Sequence, residues 1–358
     1  MKAPTPIKKL ISRGETLCRA VLTSGLHVDL RVLAPADYAA GLHHFTGSKA
    51  HNIALRKRAV KKKLKINEYG IFKGKKQTPV SHEKQIYEVL DLAFVVPELR
   101  EHTGEIKAAE QDRLPRLIQL QDIRGDLHVH TTETDGLAGI EEMVQTAQDM
   151  GYQYLAITDH SEQVSIANGM DRRRLEKQIE TIEALNDRLD NFRVLKGVEV
   201  DILADGSLDL PDEILKKLDV RVCSIHFFHN LSQKKQTDRI IKAMENPFFN
   251  ILGHPTGRLI NRRKPYAVDL EKVLAAAKEN GCFLELNAQP DRLDLSDEAC
   301  RLARDMGVKI AVSSDAHDTG SLSYLRLGID QARRGWLERA DVINTSNCHD
   351  LLRMMTRI

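Results

Sequence analysis

The sequence predicts an α/β chain in which a closed parallel barrel over residues 122–358 follows a smaller α+β region. Three observations predict it. From Ile123 onward, strand-like apolar runs alternate with amphipathic helical stretches, the pattern of parallel βαβ units. Seven or eight such units suffice to close a barrel. Histidines and carboxylates gather at the C-terminal ends of those runs, on the rim where a barrel builds its site.

Residues 25–33 alternate apolar and polar side chains, as a half-buried strand does. Pro35-Ala36-Asp37 then opens a helix reaching His44, and Ser48 is placed to cap the basic helix that follows. Residues 67–72 read as one strand ending near Gly74. Pro79 breaks the pattern, 81–84 start a short helix through Leu92, and 97–100 and 115–117 read as connectors. These assignments put a first region at 1–105, a linker at 106–121 and the barrel at 122–358. Barrel strands are expected at 125–130, 153–158, 193–202, 220–226, 249–253, 282–287 and 309–314, with a short last one near 341–344. Helices are expected at 140–150 and 173–189.

Composition narrows the class. A hydrophobic fraction of 42% supports a real core, while 5% aromatic residues argue against a broad aromatic recognition surface. Five scattered cysteines without a C-x-x-C pair suit reduced thiols rather than a disulfide framework. Met1-Lys2-Ala3-Pro4 carries no apolar leader and no run is long enough for a membrane span, so a cytoplasmic protein without a membrane partner is expected. Between Lys49 and Lys76 stand eleven Lys or Arg against one acid, Glu68, on a chain of net charge +2. A local basic block on a near-neutral protein suits a polyanion, with Lys49, Arg56, Arg58, Lys61, Lys62, Lys63 and Lys65 as candidate DNA contacts.

The rim residues carry the chemistry. His128 and His130 are two apart on a strand, so they face one side. Asp315 and His317 repeat the spacing at another strand end. His254 lies between Gly253, which allows close backbone approach, and Pro255, which stiffens the turn. Glu199 ends an apolar run and is suited to bridge two ions. With Asp135, His160 and His226 these make nine ligand-type side chains, too many for one ion and enough for two or three. A multinuclear metal hydrolase follows. His229, three residues beyond His226, is a weaker candidate for the same site.

At 126–136, 251–258, 313–317 and 324–337 the chain resembles the polymerase and histidinol phosphatase (PHP) domain, in the form found at the C-terminus of bacterial family X DNA polymerases. The resemblance implies a distorted (β/α)7 barrel behind a palm and thumb remnant. It also implies a ligand set: His128, His130, Glu199 and Asp315 for one ion, Glu199, His226 and His254 for a second, and Asp135, His160 and His317 for a third. His27-Val28-Asp29-Leu30-Arg31 resembles the palm strand carrying the third catalytic aspartate, Asp29. His44-Phe45-Thr46-Gly47-Ser48 and Asn67-Glu68-Tyr69 resemble thumb elements. The paired palm aspartates of that family have no counterpart in this sequence, so polymerase activity is expected to be lost.

The resemblance and the basic block together imply a 3′→5′ DNA exonuclease acting on 3′ ends or gapped DNA. Its cofactors would be two or three ions of manganese, zinc or iron. A metal-bound hydroxide would be the nucleophile, so no side-chain nucleophile is required. Arg258 is the expected phosphate clamp, ahead of Arg262 and Arg263. Two alternatives are a phosphomonoesterase acting on a small phosphoester metabolite and a non-catalytic DNA-binding remnant.

Overall fold

The computed structural model describes residues 6–356. Two compact units divide between Leu114 and Pro115.

The first unit opens with an antiparallel sheet of β1 (Ile7–Arg13), β2 (Leu17–Leu22) and β3 (His27–Arg31). Sequence reasoning overlooked β1. It also took the alternation in β3 for half-burial, whereas every residue of β3 is exposed. Leu10 pairs through Ala20 with Val28, and Cys18 with Leu30, so these share one face, and Leu10, Val28 and Leu30 stand in water. Pro35–Asp37 form a 3-10 turn into α1 (Tyr38–Thr46), and α2 (Lys49–Lys61) follows. Ser48 caps α2 by accepting from His51 N at 3.1 Å. His51, Asn52, Leu55 and Ala59 recur at helical spacing and are buried, leaving the basic residues on the opposite face. The single strand expected at 67–72 is a hairpin, β4 (Lys65–Asn67) and β5 (Gly70–Lys73), extended by β6 (Lys76–Thr78). Glu68-Tyr69 make its turn, where Gly70 adopts φ 142°. Helices α3 (Lys84–Glu88) and α4 (Glu105–Glu110) close the unit, so the expected linker over 106–121 begins inside a helix.

Below α2 lies a buried polar chain. Tyr87 Oη is 3.0 Å from both His43 Nε2 and His51 Nε2, and His51 Nδ1 is 2.5 Å from Glu105 Oε1. With Glu105 accepting from His51 Nδ1–H, His51 Nε2 accepts from Tyr87, and Tyr87 accepts from His43. Burial, with Arg100, His51 and His44 nearby, pushes the His43 imidazole down to about 3. A histidine depressed in the fold contributes stability above its ordinary value of 6.5, and that stability drains away as pH falls toward 3. Acidification from pH 7 to pH 5 is therefore expected to remove about 2 kcal/mol from this unit. His43→Leu should remove that part of the acid slope in thermal melts. Equal slopes in wild type and variant would contradict the assignment.

The second unit is built on a seven-stranded parallel sheet in sequential order. Its strands are β7 (Gly125–Asp126), β8 (Tyr154–Ile157), β9 (Arg193–Asp201), β10 (Val220–Ser224), β11 (Ile251–Leu252), β12 (Phe283–Asn287) and β13 (Ile310–Ser313). Between them run α5 (Ile140–Asp149), α6 (Arg172–Asn186), α7 (Asp212–Leu215), α8 (Gln233–Met244), α9 (Leu270–Asn280) and α10 (Asp297–Met306), followed by α11 (Leu325–Arg334) and α12 (Cys348–Met355). Strand alternation sorts the core. Leu155, Ile157, Val194 and Val198 pack in the layer with the helices. Tyr154, Ala156, Leu195 and Val222 fill the interior with Leu351 and Met355 of α12.

The ends of the sheet meet through a parallel bridge, Val129 with Ala316. The strand expected near 341–344 is a 3-10 turn, Ile343–Thr345. Asn344 does a strand's work there with its side chain. Its Nδ2 donates to Gly125 O and Val312 O, each at 2.8 Å, and its Oδ1 accepts from Val312 N at 3.1 Å, which stitches β7 to β13. No helix of the described residues is long and apolar enough to cross a membrane.

Candidate metal centre

Six of the seven strands supply candidate ligands to one end of the barrel. The segment leaving β7 brings His128 and His130, that leaving β8 brings His160, and β9 brings Glu199. The segments leaving β10, β11 and β13 bring His226, His254, and Asp315 with His317. Two glycines permit the close approach. A Cβ on Gly197 would meet Ile157 O at 2.6 Å, and one on Gly253 would meet Ser224 Oγ at 2.2 Å. His254 and Asp315 hold φ of 26° and 53°, a costly conformation for residues with side chains and one that concentrates at functional sites.

The nine predicted ligand residues come together. His130 Nε2 lies 3.1 Å from Asp315 Oδ1, and His128 Nε2 lies 3.6 Å from the same oxygen. Glu199 sits in the middle, with Oε2 3.5 Å from His128 Nε2 and 2.8 Å from His160 Nδ1. Its Oε1 is 3.0 Å from His254 Nε2 and 3.4 Å from His226 Nε2. Asp135 Oδ2 stands 3.5 Å from both His160 Nε2 and His317 Nε2. Three overlapping groups of possible ligand atoms result: His128, His130 and Asp315; His160, Glu199 and His226; and Asp135, His130, His160 and His317.

The residues fit divalent ions. His128 Nε2, both ring nitrogens of His130, His160 Nδ1, Glu199 Oε2 and His254 Nδ1 are buried without a hydrogen-bond partner. Glu199 Oε2 and His160 Nδ1 are close but not aligned as donor and acceptor. Buried polar atoms are almost always satisfied, so a cluster of orphaned imidazole and carboxylate atoms suits a set of metal ligands.

The crowding of these groups shows in their electrostatics. Burial alone would raise Glu199, but His226, His160 and His128 hold it well below the carboxylate range. Burial would lower His160, yet Glu199 and Asp135 lift it to about 10. His317 rises likewise to about 9, with Asp135 and Asp315 outweighing burial. Burial and the neighbouring His160 push His130 down to about 3. The carboxylates thus pull protons onto some of the imidazoles, and a divalent ion would displace those protons.

A supporting shell orients this cage, and sequence reasoning missed most of it. Glu285, on β12, sets Oε1 2.7 Å from His128 Nδ1, and its Oε2 accepts from His254 N at 2.6 Å. Asp201 Oδ1 lies 3.0 Å from His226 Nδ1 and accepts from His226 N at 3.1 Å. Asp159 accepts from Thr131 N at 2.8 Å, Thr131 Oγ1 at 2.7 Å, Thr134 Oγ1 at 2.5 Å and Gln178 Nε2 at 2.7 Å, which fixes the loop bearing Asp135. The only hint in the sequence was a lone acid at an inward position of an apolar run.

Arg258 does not point its charge at the cage. Its Nε donates to Arg292 O at 2.8 Å and its Nη2 to Leu293 O, so it clamps a loop. The cation beside the cage is Arg292. Its Nε is 3.7 Å from Asp315 Oδ2, and its Nη1 is buried without a partner. His229 also stays outside, with Nε2 3.2 Å from Ile225 O and its ring on Tyr266. In the basic block, Lys49, Arg56, Lys61, Lys63 and Lys65 are exposed. Arg58 is tied to Leu90 O and Glu110 Oε1, each at 2.7 Å, and Lys62 pairs with Asp91.

Comparison with known proteins adds family membership. A DNA polymerase beta thumb model matches residues 41–101, and a PHP domain model matches residues 126–289. The DNA polymerase/3′-5′ exonuclease PolX of Bacillus subtilis is 39% identical over 98% of this chain, and the chain spans 62% of that protein's length. A probable phosphatase of Thermoanaerobacter is 34% identical over 62% of this chain and 89% of its own length. Among solved structures, a histidinol phosphate phosphatase from Lactococcus lactis matches at TM-score 0.42 and 16% identity, over 58% of this chain and 93% of its own.

Proposed function

Since the chain belongs to the PHP family, in the form that joins a polymerase-type thumb to a PHP domain, we propose that it is a metal-dependent phosphodiesterase that removes nucleotides from DNA 3′ ends. The observation that carries the hydrolase reading is the convergence of orphaned imidazole and carboxylate atoms at the barrel mouth. DNA as substrate is supported by the matched thumb, the exposed cations around α2 and the likeness to PolX.

His128, His130, Glu199 and Asp315 would hold one ion, Glu199, His226 and His254 a second, and Asp135, His160 and His317 a third. Manganese, zinc and iron all suit this donor set. When bound, such ions supply hydroxide near neutral pH and neutralise charge on the phosphate. The protein's own part is positioning. Glu285 holds the proton of His128 on Nδ1 and so turns Nε2 toward Glu199 and Asp315. Asp201 does the same for His226. Arg292, with an unpartnered buried Nη1, is the group to hold a non-bridging phosphate oxygen.

The competing reading, a phosphatase acting on a small monoester, is favoured by the Thermoanaerobacter relative, named a probable phosphatase. Competition assays separate the two. With Mn²⁺, kcat/KM on a 5′-labelled single-stranded oligonucleotide is expected to exceed that on histidinol phosphate and on p-nitrophenyl phosphate by at least about a hundredfold. The reverse order would assign the small substrate.

A further inference from the structure

The mouth of the barrel has an apolar rim as well as charged walls. Among the described residues of the second unit, the most exposed large apolar side chains are Ile166 at 95%, Leu137 at 79% and Phe228 at 54%. All three lie on loops that follow candidate ligands. Leu137 comes two residues after Asp135, Ile166 six after His160, and Phe228 two after His226. Ile260, also exposed, comes six after His254. These loops are tied to the centre or to each other. Leu137 N donates to His317 O at 2.6 Å, and Asn168 Nδ2, on the loop of Ile166, donates to Glu133 O at 3.3 Å. Isolated exposed apolar residues are ordinary on any protein. Here the three most exposed in the unit all fall on ligand-bearing loops, which is a concentration and not scatter.

Phe228 is the most telling of them. Its φ is +60°, a conformation that bulky side chains rarely adopt. The residues on either side are pinned. Arg239 Nη1 donates to Phe227 O at 3.0 Å, and the His229 ring stacks on Tyr266 with centroids 5.9 Å apart. The backbone is thus held in a costly geometry that leaves more than half of an aromatic residue in water. Strain of this kind persists where function requires it. The next loop, reached through the contact of His229 with Tyr266, carries cations. Exposed Lys264 and Arg262, the latter paired with Asp291 at 3.0 Å, line with Leu259, Ile260 and Pro265 an open cavity of about 440 Å³ after His254. Aromatic faces and cations together are how proteins take up an unstacked base with its phosphates.

We propose that Phe228 is a specificity-determining residue on which the base of the terminal nucleotide stacks, with Leu137 and Ile166 continuing the apolar rim and Arg262 and Lys264 neutralising adjoining phosphates. This rests on the reading of the substrate as a nucleic acid. It differs from that reading in assigning recognition to the base, which the metal centre never touches.

The test compares two single-stranded oligonucleotides on the full chain with Mn²⁺. One ends in a 3′ thymidine nucleotide. The other ends in a tetrahydrofuran residue, which keeps the phosphodiester and lacks the base. Wild type is expected to favour the base-bearing end about tenfold in kcat/KM, Phe228→Ala to bring the ratio near one, and Phe228→Trp to keep it. The ratio is internal to each preparation, so partial misfolding cancels. A ratio unchanged by Phe228→Ala, or a wild-type ratio near one, would overturn the assignment to Phe228 while leaving the nuclease standing. Failure of wild type to shorten either oligonucleotide would overturn the nuclease reading and this proposal together. A changed molar mass of Phe228→Ala in light scattering would assign the ring to self-association instead.

Discussion

His128→Ala is expected to lower hydrolysis at least about a thousandfold, on the order of 4 kcal/mol of barrier. The reason is geometric. His128 is fully buried, its Nδ1 is taken by Glu285 at 2.7 Å, and its Nε2 lies 3.5 Å from Glu199 and 3.6 Å from Asp315 with no hydrogen-bond partner. Alanine also strips Glu285 Oε1 of its imidazole partner, while Oε2 keeps His254 N and Asn287 Nδ2, so some loss of stability is expected as well. Thermal melts should therefore accompany the kinetics. A variant that melts cooperatively, binds fewer ions per chain and has lost activity fits the account. A variant that keeps both its ion content and its rate contradicts the placement of His128 in the cage.

The second large effect is expected from a residue that would hold no ion. Glu285→Gln keeps the volume but exchanges an acceptor for a donor. One oxygen of Glu285 faces His128 Nδ1 and the other accepts from His254 N. An amide serves one of these and confronts the other with a second N–H. The negative charge that raises the basicity of His128 is lost as well. Partners that orient metal-binding histidines typically account for ten- to hundredfold in affinity or rate, so Glu285→Gln should weaken metal binding and kcat by about that factor. Titration with Mn²⁺ followed by activity reads both. A variant saturating at the wild-type concentration with the wild-type rate would remove Glu285 from the design.

The contrast between these two residues shows what the sequence discloses. The residues proposed as ligands announce themselves because a barrel places them at strand ends, where a His or Asp stands out against an apolar run, as in Asp126-Leu127-His128-Val129-His130. Glu285 sits inside a strand, in Phe283–Asn287, and its alternation with Leu284 and Leu286 reads as an ordinary inward position. Which inward acid meets which histidine depends on sheet order, and order is a long-range property. Arg258 and Arg292 show the same limit. Both lie near the site in the fold, and only the loop geometry decides that Arg258 is spent on carbonyls while Arg292 keeps a nitrogen unpartnered.

In the first unit, local signals succeeded where they were local. Ser48 caps α2 as its spacing predicts, and the pattern of α2 buries His51, Asn52, Leu55 and Ala59. The strand at 27–31 was legible too, but its burial was not, because alternation reports two faces and cannot say what covers either. The turn at Glu68-Tyr69 does carry a signal, Asn67 and Gly70 on its two sides, and it was overridden by the strand-forming Ile66, Tyr69, Ile71 and Phe72 around it.

In the function proposed above, nine side chains at the mouth of this barrel hold divalent ions, and DNA phosphodiesters are hydrolysed from the 3′ end. A time course on a 5′-labelled, 3′-recessed DNA duplex with Mn²⁺, using protein whose metal content has been determined, tests this. The expected result is a ladder of products shortened one nucleotide at a time from the 3′ end, absent when the ions are chelated and restored when they are returned. An intact substrate, from protein holding at least two ions per chain, would contradict it.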